Sequence, residues 1–152
     1  MLAAELQAYL HEHIPLSGAM AVSVLALDKE SVVLKAPLAP NINHRNTVFG
    51  GSASALAILA AWSLLHVRLR GEGLDSRLVI QRNTMEYERP MSGAFTASAS
   101  LVEPQQWQKF IRMLQRKGRA RISVSSTLEC DGQVAGRLIG EFVALGKNTP
   151  DT

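Results

Sequence analysis

The sequence predicts an α+β fold, with an antiparallel sheet of about six strands wrapped around one long central helix. Three observations predict it. Residues 46–65 carry no charge and are apolar on nearly every side at helical spacing, the pattern of a helix enclosed by its own protein. Runs rich in Val, Leu and Ala, or alternating apolar with polar, flank that helix on both sides and read as strands. Polar or glycine-containing turns join these runs in pairs, which favours antiparallel neighbours. A flat sheet leaves most of such a helix in water, so the sheet is expected to curl around it.

Each element has its own signal. In residues 2–13, Leu2, Leu6, Tyr9, Leu10 and His13 recur at helical spacing, and Pro15 and Gly18 are expected to end this lead-in helix. Residues 19–27 and 31–38 read as a strand pair turned at Asp28-Lys29-Glu30, with Pro37 and Pro40 closing the second strand. The central helix is expected over about 48–70, with Arg68 and Arg70 in its last turn and Gly71 and Gly73 beyond it. Residues 78–87 form a strand that stops before Pro90 and Gly93. In residues 95–102 Phe95, Ala97, Ala99 and Leu101 alternate with polar residues, as in a strand buried on one face. Pro104 opens a second amphipathic helix, with Trp107, Phe110, Ile111 and Leu114 on one stripe and Gly118 as its cap. Residues 121–130 and 133–145 make a last hairpin, turned at Asp131-Gly132. No repeat, linker or low-complexity segment interrupts this order, so 1–152 reads as a single domain.

Composition narrows the function classes. A hydrophobic fraction of 47% over 152 residues suits a globular domain with its own core. The net charge of +3 permits an anionic ligand but is far below that of a dedicated nucleic-acid binder. Cys130 is the one cysteine, so neither an internal disulfide nor a thiolate zinc site is expected, and a reducing cytoplasm is the expected compartment. The first residues read as lacking a signal peptide, because Glu5, His11, Glu12 and His13 interrupt the apolar positions. The uncharged stretch 46–65 is near the roughly 18-residue length of a membrane span, yet two glycines, three serines and many alanines make it weakly hydrophobic. No membrane span is expected. His11 and His13 are two apart on a helix and fall on different sides, so no metal site is expected.

The order of a strand pair, a loop with Asn43, a Gly50-Gly51 start to a long helix and a strand ending in Tyr87-Glu88-Arg89-Pro90 resembles the hotdog-fold acyl-CoA thioesterases over most of the chain. Asn43, seven residues before Gly50, matches the Asn of the phenylacetyl-CoA-type enzymes, and Phe49 stands where their motif has His. The stretches TVFGGS, YERP and FIRMLQRKGRARI more closely resemble the thioesterase-like domain that some bacterial proteins carry C-terminal to an acetyltransferase domain. The resemblance implies a thioesterase acting on an acyl-CoA or an acyl-carrier protein. Coenzyme A would enter as part of the substrate, with no separate cofactor.

Thioester hydrolysis needs a polarised carbonyl, a positioned water or nucleophile, and a group that handles protons. A glycine at a helix N-terminus lets a backbone N–H approach a developing oxyanion, and the resemblance makes the Gly51 N–H that donor. Asn43 is implied to place the water or carbonyl; a loop asparagine that only turns the chain is the other reading. The third need exposes a departure. The family's helix carboxylate lies seven residues after the second glycine, where this chain has Ile58, and no Asp or Glu occurs between Glu30 and Glu72. Ser52 and Ser54 on the first helical turn are candidate catalytic hydroxyls, or else small capping and packing residues. His44, Asn46, Thr47, Phe49 and Gly50 at the mouth are candidate substrate contacts, and His44 is also a candidate base. Gln81 and Asn83 share a face with Tyr87 if their strand is regular, and so are secondary candidates for lining the pocket. Glu86 and Glu88 read as solvated strand residues that would reach a site only across a dimer interface.

Lys109, Arg112, Arg116, Lys117, Arg119 and Arg121 form a basic cluster in and after the second helix. Arg116 and Arg119 are the candidates for holding the phosphates of coenzyme A, against an ordinary solvated face. The cluster lacks interleaved exposed aromatics, so no nucleic acid is expected. Asn41-Ile42-Asn43-His44 also resembles, faintly, the Asn and His of hotdog hydratases, though the acidic partner is missing. A non-catalytic acyl-CoA binding module is the alternative from another class. A homodimer is expected under either, since one sheet on one helix leaves an edge to pair.

Overall fold

The structure, a computed structural model, describes residues 1–146. Helices α1 (Ala3–His13) and α2 (Pro15–Ala19) lead into strands β1 (Ser23–Leu27) and β2 (Val32–Ala36), followed by the long helix α3 (Gly50–Gly71). Strands β3 (Ser76–Tyr87) and β4 (Phe95–Leu101), helix α4 (Trp107–Lys117) and strands β5 (Arg119–Cys130) and β6 (Gln133–Gly146) complete the chain. The six strands form one antiparallel sheet in the order β1-β2-β4-β5-β6-β3.

One face of that sheet holds α3. Leu34, Ala97, Val124, Leu128, Leu138 and Phe142 alternate along their strands with more exposed residues and are fully or nearly fully buried with Leu56, Ala60 and Leu64 of the helix. Helix α3 is long and apolar enough to cross a membrane, but its apolar surface is mostly enclosed by its own sheet, the alternative environment for such a helix.

Three local outcomes differ from the sequence expectation. Pro15 starts a helix instead of only ending one. It stands at the first position of α2, where a missing N–H is harmless, so the first strand begins at Ser23 instead of residue 19. Gln81 falls at a β-bulge between Ile80 and Arg82, so β3 is not regular. Across the bulge Ile80 pairs with Phe142, Asn83 with Gly140, Met85 with Leu138 and Tyr87 with Gly136, which puts Asn83 and Tyr87 on the helix side of the sheet and leaves Gln81 at the irregularity. The residues after Pro104 form a short 3-10 turn, and the α-helix proper begins at Trp107. Gly118 at φ 70° ends it, and Asp131 and Gly132 at φ 53° and 75° turn the last hairpin, as their residue types allow.

Candidate active site

The chain reaches α3 through a loop that two asparagines organise. Asn41 is buried; its Nδ2 donates to the carbonyls of Met20 (3.0 Å) and Pro37 (2.8 Å), and its own carbonyl accepts from Phe49 N–H (2.7 Å). Asn43 Oδ1 accepts from the N–H groups of Arg45 (2.8 Å) and Thr47 (3.1 Å). Its Nδ2 donates to Thr47 Oγ1 at 2.9 Å and to the Val48 carbonyl at a long 3.5 Å. Together with Asn43 N–H donating to the Thr47 carbonyl (2.8 Å), these bonds close 43–47 into a compact turn. Asn46 sits at φ 64°, a left-handed conformation that Asn tolerates better than most residues. Val48 N–H donates to the Met91 carbonyl (2.8 Å) and so ties the loop to the segment after β3.

Helix α3 then begins without a side-chain cap, because Phe49 occupies the N-cap position. Its first intrahelical bond runs from Ala53 N–H to the Phe49 carbonyl (3.0 Å). Among the described residues, the N–H groups of Gly50, Gly51 and Ser52 find no acceptor. Three free donors at the positive end of a 22-residue helix attract an anion or a carbonyl oxygen that is acquiring negative charge. The Phe49 ring, 57% exposed, lies where a Cβ on Gly51 would stand. A Cβ on Gly50 would meet the Tyr87 ring at 3.6 Å. Tyr87 and Gly50 also line a cavity of about 210 Å³ with Val48, Ala53, Pro90 and Met91.

The stripe of α3 that continues from Gly51 is left uncovered by the sheet. Ser54, Ala55, Ile58 and Trp62 are only half-buried, whereas the residues between them are mostly buried. Ser52 and Ser54 stand on the first turns, and neither hydroxyl bonds to a described residue. Ile58, in the position of the family's helix carboxylate, lines an apolar groove of about 290 Å³ with Ala55, Leu59, Trp62, Ile80 and Phe142. The groove is the hydrocarbon complement to the polar helix start.

The remaining candidates divide sharply. His44 and Asn46 are exposed in the loop, and Thr47 is held by Asn43. Asn83 lies on the helix side of β3 but is exposed at the sheet edge, and Gln81 is exposed at the bulge. Glu88 accepts from Arg137 Nε at 2.9 Å. Arg137 lies between the inward Gly136 and Leu138, so this bond engages the carboxylate on the outer face, while Glu88 also lines the cavity beside Gly50 and Tyr87. Arg116 and Arg119 are at the wrong end of the helix within one chain. Trp107, which starts α4, donates to Glu72 Oε1 (3.0 Å) just past the end of α3, and Arg119 pairs with Leu145, beside Arg77 at the beginning of β3. Nine residues of β6 separate that level from Gly136, about 30 Å at strand rise. Among the described residues no group of three His, Cys, Asp or Glu side chains is placed to hold a metal.

An aromatic cluster that the sequence does not single out lies farther along α3. Trp62 stacks on His66 (centroids 4.8 Å, 11° between planes), and His66 on Tyr9 (4.5 Å). Burial, then the nearby charges of Arg70 and His13, push the His66 imidazole down to about 4, and its Nε2 has no partner among the described residues. A strongly shifted histidine is a candidate for catalysis. His66 is nevertheless fifteen residues beyond Gly51, about 22 Å along the helix, and cannot act on a carbonyl held at Gly51. The i, i+4 pairs Tyr9/His13 and Trp62/His66 were the available signal, but each reads equally well as ordinary helix packing.

A family model described as "Putative thioesterase (yiiD_Cterm)" matches residues 3–146. Among solved structures, a protein of unknown function from Chlorobaculum tepidum is 26% identical, with a TM-score of 0.90 over 95% of this chain and 94% of that one. A Shewanella oneidensis protein described as a "putative thioesterase" is 25% identical, with a TM-score of 0.83 over 94% and 96% of the two chains. A thioesterase from Haemophilus influenzae, 11% identical with a TM-score of 0.79 over 100% and 96%, shares the fold.

Proposed function

This chain belongs to the family described as "Putative thioesterase (yiiD_Cterm)" and has the hotdog fold, and from that premise we propose that it hydrolyses an acyl-CoA or acyl-carrier-protein thioester. The observation that carries the reading is the uncapped start of α3, with three free N–H groups about one turn before an apolar groove whose helix wall begins at Ala55. In the proposed reaction the thioester carbonyl lies against the Gly51 N–H, and the acyl chain runs along the stripe that contains Ile58. The helix donors stabilise the oxyanion that forms when water adds to the carbonyl, and the C–S bond then breaks to release the acid and the thiol.

Asn43 has a double part in this reading. It holds the 43–47 turn, and its amide proton toward Val48, held only by a long 3.5 Å bond, turns to the attacking water when substrate is bound. Ser54 lies one turn past the donors. The proton acceptor is His44 or a group of a second copy, since Ile58 replaces the helix carboxylate and Glu88 faces Arg137. A homodimer fits the same geometry. Strand β3 is a sheet edge, and the uncovered stripe of α3 lies beside it. Arg116 and Arg119 serve phosphate binding only if a second copy brings them to the mouth.

A second reading, a non-catalytic acyl-CoA binding module, is favoured by the apolar residue at position 58. Thiol release from acyl-CoAs by the wild type and by Asn43→Ala separates the two, because a binding module holds the ligand and releases no thiol.

A further inference from the structure

We propose that Trp62 is the floor of the acyl groove and limits the chain it accepts to about ten carbons. This deepens the thioester reading above and rests on it for the position of the carbonyl.

The limit follows from the helix. Gly51, Ala55, Ile58 and Trp62 recur at intervals of four, three and four residues and so share one face of α3. Eleven residues separate Gly51 from Trp62, about 16 Å along the axis. Helical side chains lean toward the N-terminus, so the indole overhangs part of the last turn and leaves about 12 Å. A zigzag chain with C–C bonds of about 1.5 Å fills that length with about nine or ten carbons. The groove volume of about 290 Å³ gives a similar answer. A cavity of about 150 Å³ admits the six carbons of benzene, so this one admits about twelve.

Trp62 is fixed where it stands. Its Nε1 donates to the Leu78 carbonyl at 3.3 Å, crossing from α3 to β3, and its ring is stacked on His66. The indole also lines a second cavity of about 720 Å³ on its far side, together with Tyr9, His66, Arg70, Leu74 and Val79. It therefore acts as the partition between the two spaces. A longer chain would have to displace a hydrogen-bonded, stacked ring and push its methyl end toward the Arg70 guanidinium.

The test is calorimetric binding of S-alkyl-CoA thioethers, from butyl to hexadecyl, which cannot be hydrolysed. For the wild type, affinity should rise about fourfold per methylene as far as decyl and then level off. Trp62→Ala should extend the rise and bind the hexadecyl analogue about tenfold tighter than the wild type does. Trp62→Phe, which keeps a ring at the floor, should retain the decyl limit. Ile58→Trp fills the half-exposed groove and should shorten the limit to about hexyl, a test that stands even if Trp62→Ala fails to fold. A wild-type rise that continues to hexadecyl overturns the proposal, as does a folded Ile58→Trp with the wild-type profile. Absence of saturable binding by every analogue overturns the groove itself. Length-limited binding without thiol release from the matching acyl-CoAs supports the floor and defeats only the hydrolytic reading.

Discussion

Ser126 of β5 donates its hydroxyl to the main-chain carbonyl of Ala57 in α3 at 2.7 Å, with the serine buried. A polar side chain from the sheet thereby helps fix the axial position of a helix held mainly by apolar contact, together with the Trp62–Leu78 bond. Its place in the register, opposite Ala99 and Leu138, puts it at the centre of the sheet.

Loss of that bond is expected to have a modest and specific effect. Ser126→Ala removes the donor, while the carbonyl keeps its place in the helix ladder, so the expected destabilisation is about 1 kcal/mol. For a chain of this size that lowers the melting temperature by about 3 °C. Thermal unfolding followed by circular dichroism measures it, and an unchanged midpoint would show that the bond contributes nothing net.

Two glycines are expected to respond in opposite directions. A Cβ on Gly136 would stand 3.0 Å from the Glu86 carbonyl oxygen and 3.2 Å from Leu128 Cδ1, and the backbone oxygen cannot move aside cheaply. Gly136→Ala should therefore destabilise by about 1–3 kcal/mol. Gly71, at the end of α3, has nothing within 4 Å of that position, and Gly71→Ala should stabilise by about 0.5–1 kcal/mol through the unfolded chain. Urea unfolding of both variants reads the two signs directly.

Acid should weaken the protein through His66. Burial, with Arg70 and His13 beside it, lowers its imidazole from 6.5 to about 4. Tyr9 and Trp62 are the rings stacked against it. Between those two values the unfolded chain binds the proton that the folded chain refuses, so stability is full above pH 6.5, falls as pH drops toward about 4, and levels off below. Because the ring is partly exposed, solvent screening holds the loss to on the order of 1 kcal/mol. His66→Phe keeps the stack and should flatten this part of the stability curve. A variant curve parallel to that of the wild type would remove His66 as the cause.

The protein is expected to be a dimer at micromolar concentration. The twelve-residue edge strand β3 offers unpaired main-chain groups to a second copy. Light scattering on the eluting protein gives the mass, and a clean monomer would remove the second copy as a source of the missing proton acceptor.

Most of the architecture was legible because α3 and the hairpins have long, one-sided patterns. Val124, Leu128, Leu138 and Phe142 alternate as a buried sheet face must, and Asp131-Gly132 could hardly be anything but a turn. What failed was local and had a local cause. Pro15 both ends α1 and starts α2, and a proline gives the same signal for either. The bulge at Gln81 has no glycine to mark it, so Gln81 and Asn83 could not be assigned to different positions relative to Tyr87. At the mouth, Gly50-Gly51 marked the start of α3, but the missing side-chain cap comes from Phe49 at the N-cap position. That Asn41 is the deeply buried amide was not legible, since two asparagines two residues apart look alike until the chain is folded. That Arg116 and Arg119 lie far from Gly51 within one chain was not legible, because distance along the sheet, unlike charge, is not written in a sequence. Trp62 was hidden in a helix where every residue looks like core.

Thiol release from a panel of short, medium, long and aromatic acyl-CoAs, with wild type beside Asn43→Ala and Ser54→Ala, tests the central claim most directly. The proposed hydrolysis predicts turnover by the wild type that falls at least about tenfold in Asn43→Ala while the circular dichroism spectrum is unchanged. The Ser54→Ala rate tells whether the first turn of α3 takes part. No turnover on any substrate, with saturable acyl-CoA binding in the same preparation, would contradict hydrolysis and identify a binding module.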